Sequence, residues 1–209
     1  MTDRTHQSSK WETLASDSEI EQTINSLKKN GIEAIVVNNG KEAKQKVLEM
    51  LPKNAEVFNS TSVTLDMIGL SKEIVEGNFN SVRKKLMSMD RNSQSKEMKQ
   101  MGSAPEWMVG SVHAVTQDGK VLIASATGSQ LAGYSSGAGK VIWVVGTNKI
   151  VKNQEEGFKR IYEHTLPLED ARARKVYGSG SGVNKLLIVN KEVFPGRITL
   201  IFVKEKLGF

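Results

Sequence analysis

Glu163 and His164 stand side by side, with Arg172 a short distance further along the chain. A histidine beside a carboxylate can move a proton, and a guanidinium can hold a carboxylate or phosphate. Glu163 and His164 are therefore candidate acid–base residues, and Arg172 is the candidate anion holder. A positive charge complementing a helix C-terminus is the favoured reading of His164. Asp66 is a third catalytic candidate; it reads either as a general base or as first-turn charge on a helix. His113 lies within a strand pattern with no nearby carboxylate to orient it, which favours a packed or surface histidine.

A second kind of chemistry is written in hydroxyls and glycines. Ser60, Thr61, Ser62 and Thr64 cluster where a strand gives way to a helix. Thr127, Gly128, Ser129 and Gln130 form another such turn, and Gly146 and Thr147 begin a third. Short hydroxylated turns past strand ends offer O–H and N–H donors where open α/β sheets bind small anions. Plain N-capping and ordinary βα turns are the competing reading of the same residues.

These residues need elements to position them. Leu14, Ile20, Ile24 and Leu27 mark an amphipathic helix over about 7–30, ended by Gly31. A strand at 32–37, a helix at 40–51 closed by Pro52, and a strand at 55–58 have the length of a βαβ unit. Residues 71–101 form a polar, Met-rich helical excursion, whose methionines suit flexible packing better than metal ligation. Strands at 107–116 and 120–124 flank Asp118-Gly119, a tight-turn signal. The apolar runs 121–124 and 141–145 have the character of strands covered on both faces in a parallel sheet. Helices at 154–164 and 169–176, separated around Pro167, precede a Gly/Ser run at 178–182 and strands at 185–189 and 197–203. The reading is an open, mostly parallel α/β sheet flanked by helices, with an antiparallel hairpin and an N-terminal amphipathic helix. Residues 1–14 are tail and helix start, and 15–209 one domain.

Composition narrows the function. The 209 residues include no cysteine, so no iron–sulfur cluster or zinc can be held through Cys, and no cofactor or metal is expected in this chain. GxGxxG, GxxxxGK[ST] and HExxH are all missing. The net charge of +6 is spread among acids, which describes a solvated surface and no nucleic-acid partner. No apolar run approaches the ~18–20 residues of a membrane span, and the N-terminus lacks a secretory core, so a cytoplasmic location without membrane insertion is expected. The first helix and the Met-rich excursion would suit a homodimer contact.

Five segments resemble the LUD domain, the lactate-utilisation protein family: 62–69 (SVTLDMIG), 107–115 (WMVGSVHAV), 124–131 (ASATGSQL), 141–151 (VIWVVGTNKIV) and 195–200 (PGRITL). The resemblance implies a fold similar to ribose-phosphate isomerase, glucosamine-phosphate deaminase and the CoA-transferases. It implies a place in lactate or related organic-acid utilisation, as an accessory or ligand-binding component beside a cysteine-rich iron–sulfur partner. It also implies that the 60–64 and 127–129 turns correspond to anion-binding loops. The alternative is a stand-alone enzyme acting on a sugar phosphate, CoA ester or similar small anion.

Overall fold

The computed structural model describes residues 10–209. His6 and the predicted helix start at 7–9 lie outside them. The first helix, α1, runs over Asp17–Lys29. Ser16 caps it through a reciprocal capping box with Glu19, and Ile20 and Leu27 face inward. It therefore begins later than periodicity alone suggests, because Ser16 and Glu19 supply the start signal.

The main sheet contains β1 (Glu33–Val37), β2 (Glu56–Asn59), β3 (Asn80–Ser81), β4 (Trp107–Gly110), β7 (Lys140–Gly146) and β10 (Ile198–Val203). Their order is β1-β10-β7-β4-β2-β3, with every pairing parallel. β1 and β2 do belong to one sheet, joined through α2 (Gly40–Met50), yet β10, β7 and β4 lie between them. Burial explains the order. β7 and β10 are almost wholly buried and take central places, whereas β1, with Glu33 and Val36 exposed, takes an edge.

A second, mixed sheet holds β5 (Ala114–Thr116), β6 (Val121–Ser125), β8 (Ile150–Val151) and β9 (Lys185–Val189) in the order β8-β5-β6-β9. The Asp118-Gly119 hairpin forms as expected, with Gly119 at φ 82°. The placement of 121–124 differs from the parallel-sheet expectation: β6 is antiparallel to both β5 and β9. Its run is apolar because both faces are covered. Val121 and Ile123 face the large core shared with the main sheet, while Leu122 and Ala124 pack with Trp11 and Ile161 on the other side.

The expected strand 107–116 is likewise two strands, β4 and β5, in different sheets. The layers run from α2, α3 (Val63–Met67) and α4 (Leu70–Glu76), through the main sheet and second sheet, to α7 (Gln154–Arg160) and its continuation. The excursion wraps the β2–β3 edge: Leu70 and Ile74 of α4 join one core, and Val82 and Leu86 of α5 (Val82–Ser88) the other. Met101 of α6 (Ser95–Ser103) packs against that second core.

Pro167 does not separate two helices. A π turn over Ile161–Thr165 connects α7 to α8 (Leu166–Tyr177), and Pro167 falls in the first turn of α8. There the ring replaces an N–H that the wider turn leaves without a helical duty. The rod is thereby continuous from Gln154 to Tyr177.

Candidate anion site at the strand-end seam

Two chain crossings define the site. β4 leaves the main sheet at Gly110 and enters the second as β5 after Ser111, Val112 and His113; β7 leaves at Gly146 and enters as β8 after the 3-10 turn Thr147–Lys149. β4 and β7 are parallel neighbours before the crossing, and β5 and β8 after it. The apolar runs are interrupted by Ser, His, Thr, Asn and Lys where the strands change sheets. This is the C-terminal rim of the parallel strands, the usual ligand position in open α/β folds.

Glycines make the seam tight. A Cβ on Gly110 would lie 1.7 Å from Tyr134 Oη and 2.5 Å from Ser60 Oγ. The bare backbone admits the 2.8 Å bond between those hydroxyls. Tyr134 meets Trp143 edge to face at 5.5 Å, and burial pushes its phenol pKa up.

Lys149 is 2% exposed, and its Nζ donates to Thr64 Oγ1 at 3.0 Å and Ser111 Oγ at 3.2 Å. Arg160, on α7, is fully buried; its Nη1 donates to the His113 carbonyl at 2.5 Å and to Thr165 Oγ1 at 3.2 Å. Among the described residues, its Nε and Nη2 have no partner. Among the described residues, neither cation forms an ion pair with a carboxylate.

The basic groups disturb one another. Burial, then the charge of Arg160, holds the Lys149 amine well below the ordinary lysine range. Burial lowers Arg160 to about 9. His113 is brought down to about 3 by burial and then by Lys149 and Arg160, and its Nδ1 accepts from Ala124 N at 3.1 Å. His164 is lowered to about 4, by burial first and Arg160 second. An enclosed guanidinium without a counter-ion is costly, and a bound anion relieves the cost.

The hydroxylated loops differ in what their groups bond. Loops 59–64 and 146–149 meet, since Lys149 bonds Thr64. Ser60 bonds Tyr134, Thr61 accepts from Arg83 Nη1 at 3.0 Å, and Ser62 caps α3 through Leu65 N. The Thr147 hydroxyl is buried without a partner among the described residues, and Asp66 is exposed on α3. Loop 125–130 extends from the second sheet. Its groups bond one another: Ser125 with Gln130 and Gly128 N, and Ser129 with Thr127 and Gln130. Gly128, at φ 85°, lies under the Lys185 side chain.

Arg172 is engaged elsewhere. Its Nε and Nη2 each meet Glu169 at 2.7 Å, and it lies over the Tyr177 ring. Glu163 occupies an exposed position on the π turn, while adjacent His164 is buried.

A segment at 204–209 closes the seam. Leu207 N donates to Asn148 Oδ1 at 3.2 Å, and Thr64 Oγ1 donates to the Leu207 carbonyl at 3.3 Å. This backbone approaches so closely that a Cβ on Gly146 would be 2.7 Å from Leu207 N.

The sequence profile of the LUD domain matches residues 20–203. This chain belongs to the LUD domain family. A crystal structure of a DUF162 family protein from Deinococcus radiodurans resembles it with a TM-score of 0.57, covering 90% of this chain and 99% of that chain at 14% identity. That likeness concerns the fold. Among curated proteins, no match to this sequence was found.

In this LUD domain, sequence reasoning passed over Lys149, Arg160 and Ser111 and treated His113 as structural. A signal for Lys149 was present: it separates the apolar run 141–145 from Ile150 and Val151, so its side chain begins between two buried strands. Arg160 falls in helical phase with buried Gly157 and His164, which placed it inward.

Proposed function

We propose that this LUD-domain protein binds a small organic anion at the strand-end seam and acts in lactate or related organic-acid utilisation. It serves as the ligand-binding component beside a cysteine-rich iron–sulfur oxidoreductase. The family resemblance supports the pathway and the partner.

The anion reading is carried by the unpaired edge of Arg160. Nε and Nη2 form the side-on fork that matches a carboxylate or phosphate in two parallel hydrogen bonds. The same edge of Arg172 holds Glu169. Among the described residues, that of Arg160 is buried and has no partner.

Thermal unfolding with lactate or inorganic phosphate tests the reading. A ligand at about one hundred times its Kd adds about 2.7 kcal/mol to stability, and Arg160→Met abolishes that gain. Absence of stabilisation by small anions, or equal stabilisation of the variant, overturns the proposal.

A further inference from the structure

Lys149 holds a primary amine where a lysine is costly. Both its acceptors are neutral hydroxyls, Thr64 Oγ1 and Ser111 Oγ, and Arg160 bonds the carbonyl of His113, two residues beyond Ser111 on the same crossing. Above the amine passes the backbone of Gly208, at φ 62°. A Cβ there would lie 2.4 Å from Thr64 Oγ1 and 3.3 Å from Lys149 Nζ, so this residue brings no side chain onto the amine. Structural packing alone would be served by an apolar side chain. An amine and an open guanidinium fork suit a ligand carrying two adjacent functions, a carbonyl and a carboxylate.

We propose that Lys149 forms an imine with a 2-oxo acid whose carboxylate is held by the Nε and Nη2 edge of Arg160. This rests on the anion reading and names its ligand class. The Lys149 lone pair attacks the ketone carbon as the carbonyl electrons move to oxygen. A proton passes from nitrogen to that oxygen, giving a carbinolamine. Expulsion of the hydroxyl group with a second proton forms C=N and releases water. Amine plus ketone gives imine plus water, without an oxidant or reductant. Ser111 and Thr64, bonded to the amine nitrogen, are placed to carry these protons. Burial followed by the Arg160 charge favours the unprotonated amine that the first step requires. The segment 204–209 must move aside for the ligand to reach Nζ, since Lys149 is closed in this structure.

Reductive trapping tests the proposal. The full chain is incubated with pyruvate and cyanoborohydride, its intact mass is measured, and the modified peptide is mapped. The expected result is one preferred adduct, on Lys149, absent in Lys149→Arg and absent when acetone replaces pyruvate. Arg160→Lys, which keeps the amine, is expected to need about tenfold more pyruvate for half-modification, corresponding to about 1.4 kcal/mol. Stabilisation by pyruvate with no adduct on Lys149 overturns the imine and leaves the anion site standing. Neither stabilisation nor adduct removes both. Modification spread over surface lysines with Lys149 untouched also overturns the imine, whatever the folding of the variants.

Discussion

Lys149 Nζ donates to Thr64 Oγ1 across 3.0 Å, and that hydroxyl passes its own hydrogen to the Leu207 carbonyl at 3.3 Å. One side chain thus joins the turn after β7, the loop after β2 and the segment that closes the seam. The hydroxyl is an acceptor on one side and a donor on the other, so no apolar isostere can replace it.

Thr64→Val preserves shape but leaves a buried amine and a carbonyl each short of a partner. A loss of about 1–3 kcal/mol is expected in urea unfolding, with Thr64→Ser recovering most of it. Equal losses for both substitutions would locate the effect in packing.

Arg160→Met removes a buried charge that has no carboxylate partner among the described residues. Replacing such a charge with an apolar side chain of similar length offsets the lost hydrogen bonds to His113 and Thr165. Stability without ligand is expected to change by less than about 1 kcal/mol, measured by chemical denaturation, although anion-induced stabilisation disappears. A collapse in stability would show Arg160 to be structural.

The two lowered histidines determine an acid limb. His113 and His164 have folded values of about 3 and about 4 against an ordinary 6.5, so the unfolded chain binds more protons between these limits. Their contribution is complete above about pH 6.5 and falls as the solution is acidified toward the folded values. The groups acting on His164 are Arg160, Glu12, Lys206 and Lys149. His164→Gln is expected to flatten the limb between pH 6.5 and 4 by on the order of 2 kcal/mol. Unfolding curves across that interval check it.

Arg197 clamps the turn that carries Tyr134. It meets Glu192 at 2.6 Å and donates to the carbonyls of Tyr134 and Ser135 at 2.9 and 3.0 Å. Arg197→Ala strands a buried carboxylate and is expected to cost about 3–5 kcal/mol in urea unfolding. A cost under about 1 kcal/mol would place the pair among weak surface bridges.

The loop after β6 offers a contrast. Its hydroxyls bond one another, so Thr127→Val and Ser129→Ala are expected to reduce anion-induced stabilisation by less than about 0.5 kcal/mol, against its complete loss in Arg160→Met. Thermal shifts of the variants beside the parent chain decide this.

Much of the fold was legible locally. Ser16 with Glu19 marks a helix start, Asp118-Gly119 marks a hairpin, and apolar runs mark the central strands, because capping, turn geometry and burial act over a few neighbouring residues. The LUD segments carried family membership for the same reason: each is a short continuous run. Other relationships came only with tertiary structure. The β6 run looks alike whether its faces are covered by parallel-sheet helices or by a second sheet and α7. Arg172 and Arg160 have the same side-chain chemistry, yet Glu169 closes the fork of one, whereas folding leaves that of the other open inside the protein. Residue type was determined by sequence, and counter-charge by packing, because a guanidinium's partner is whatever the three-dimensional fold brings within hydrogen-bonding reach.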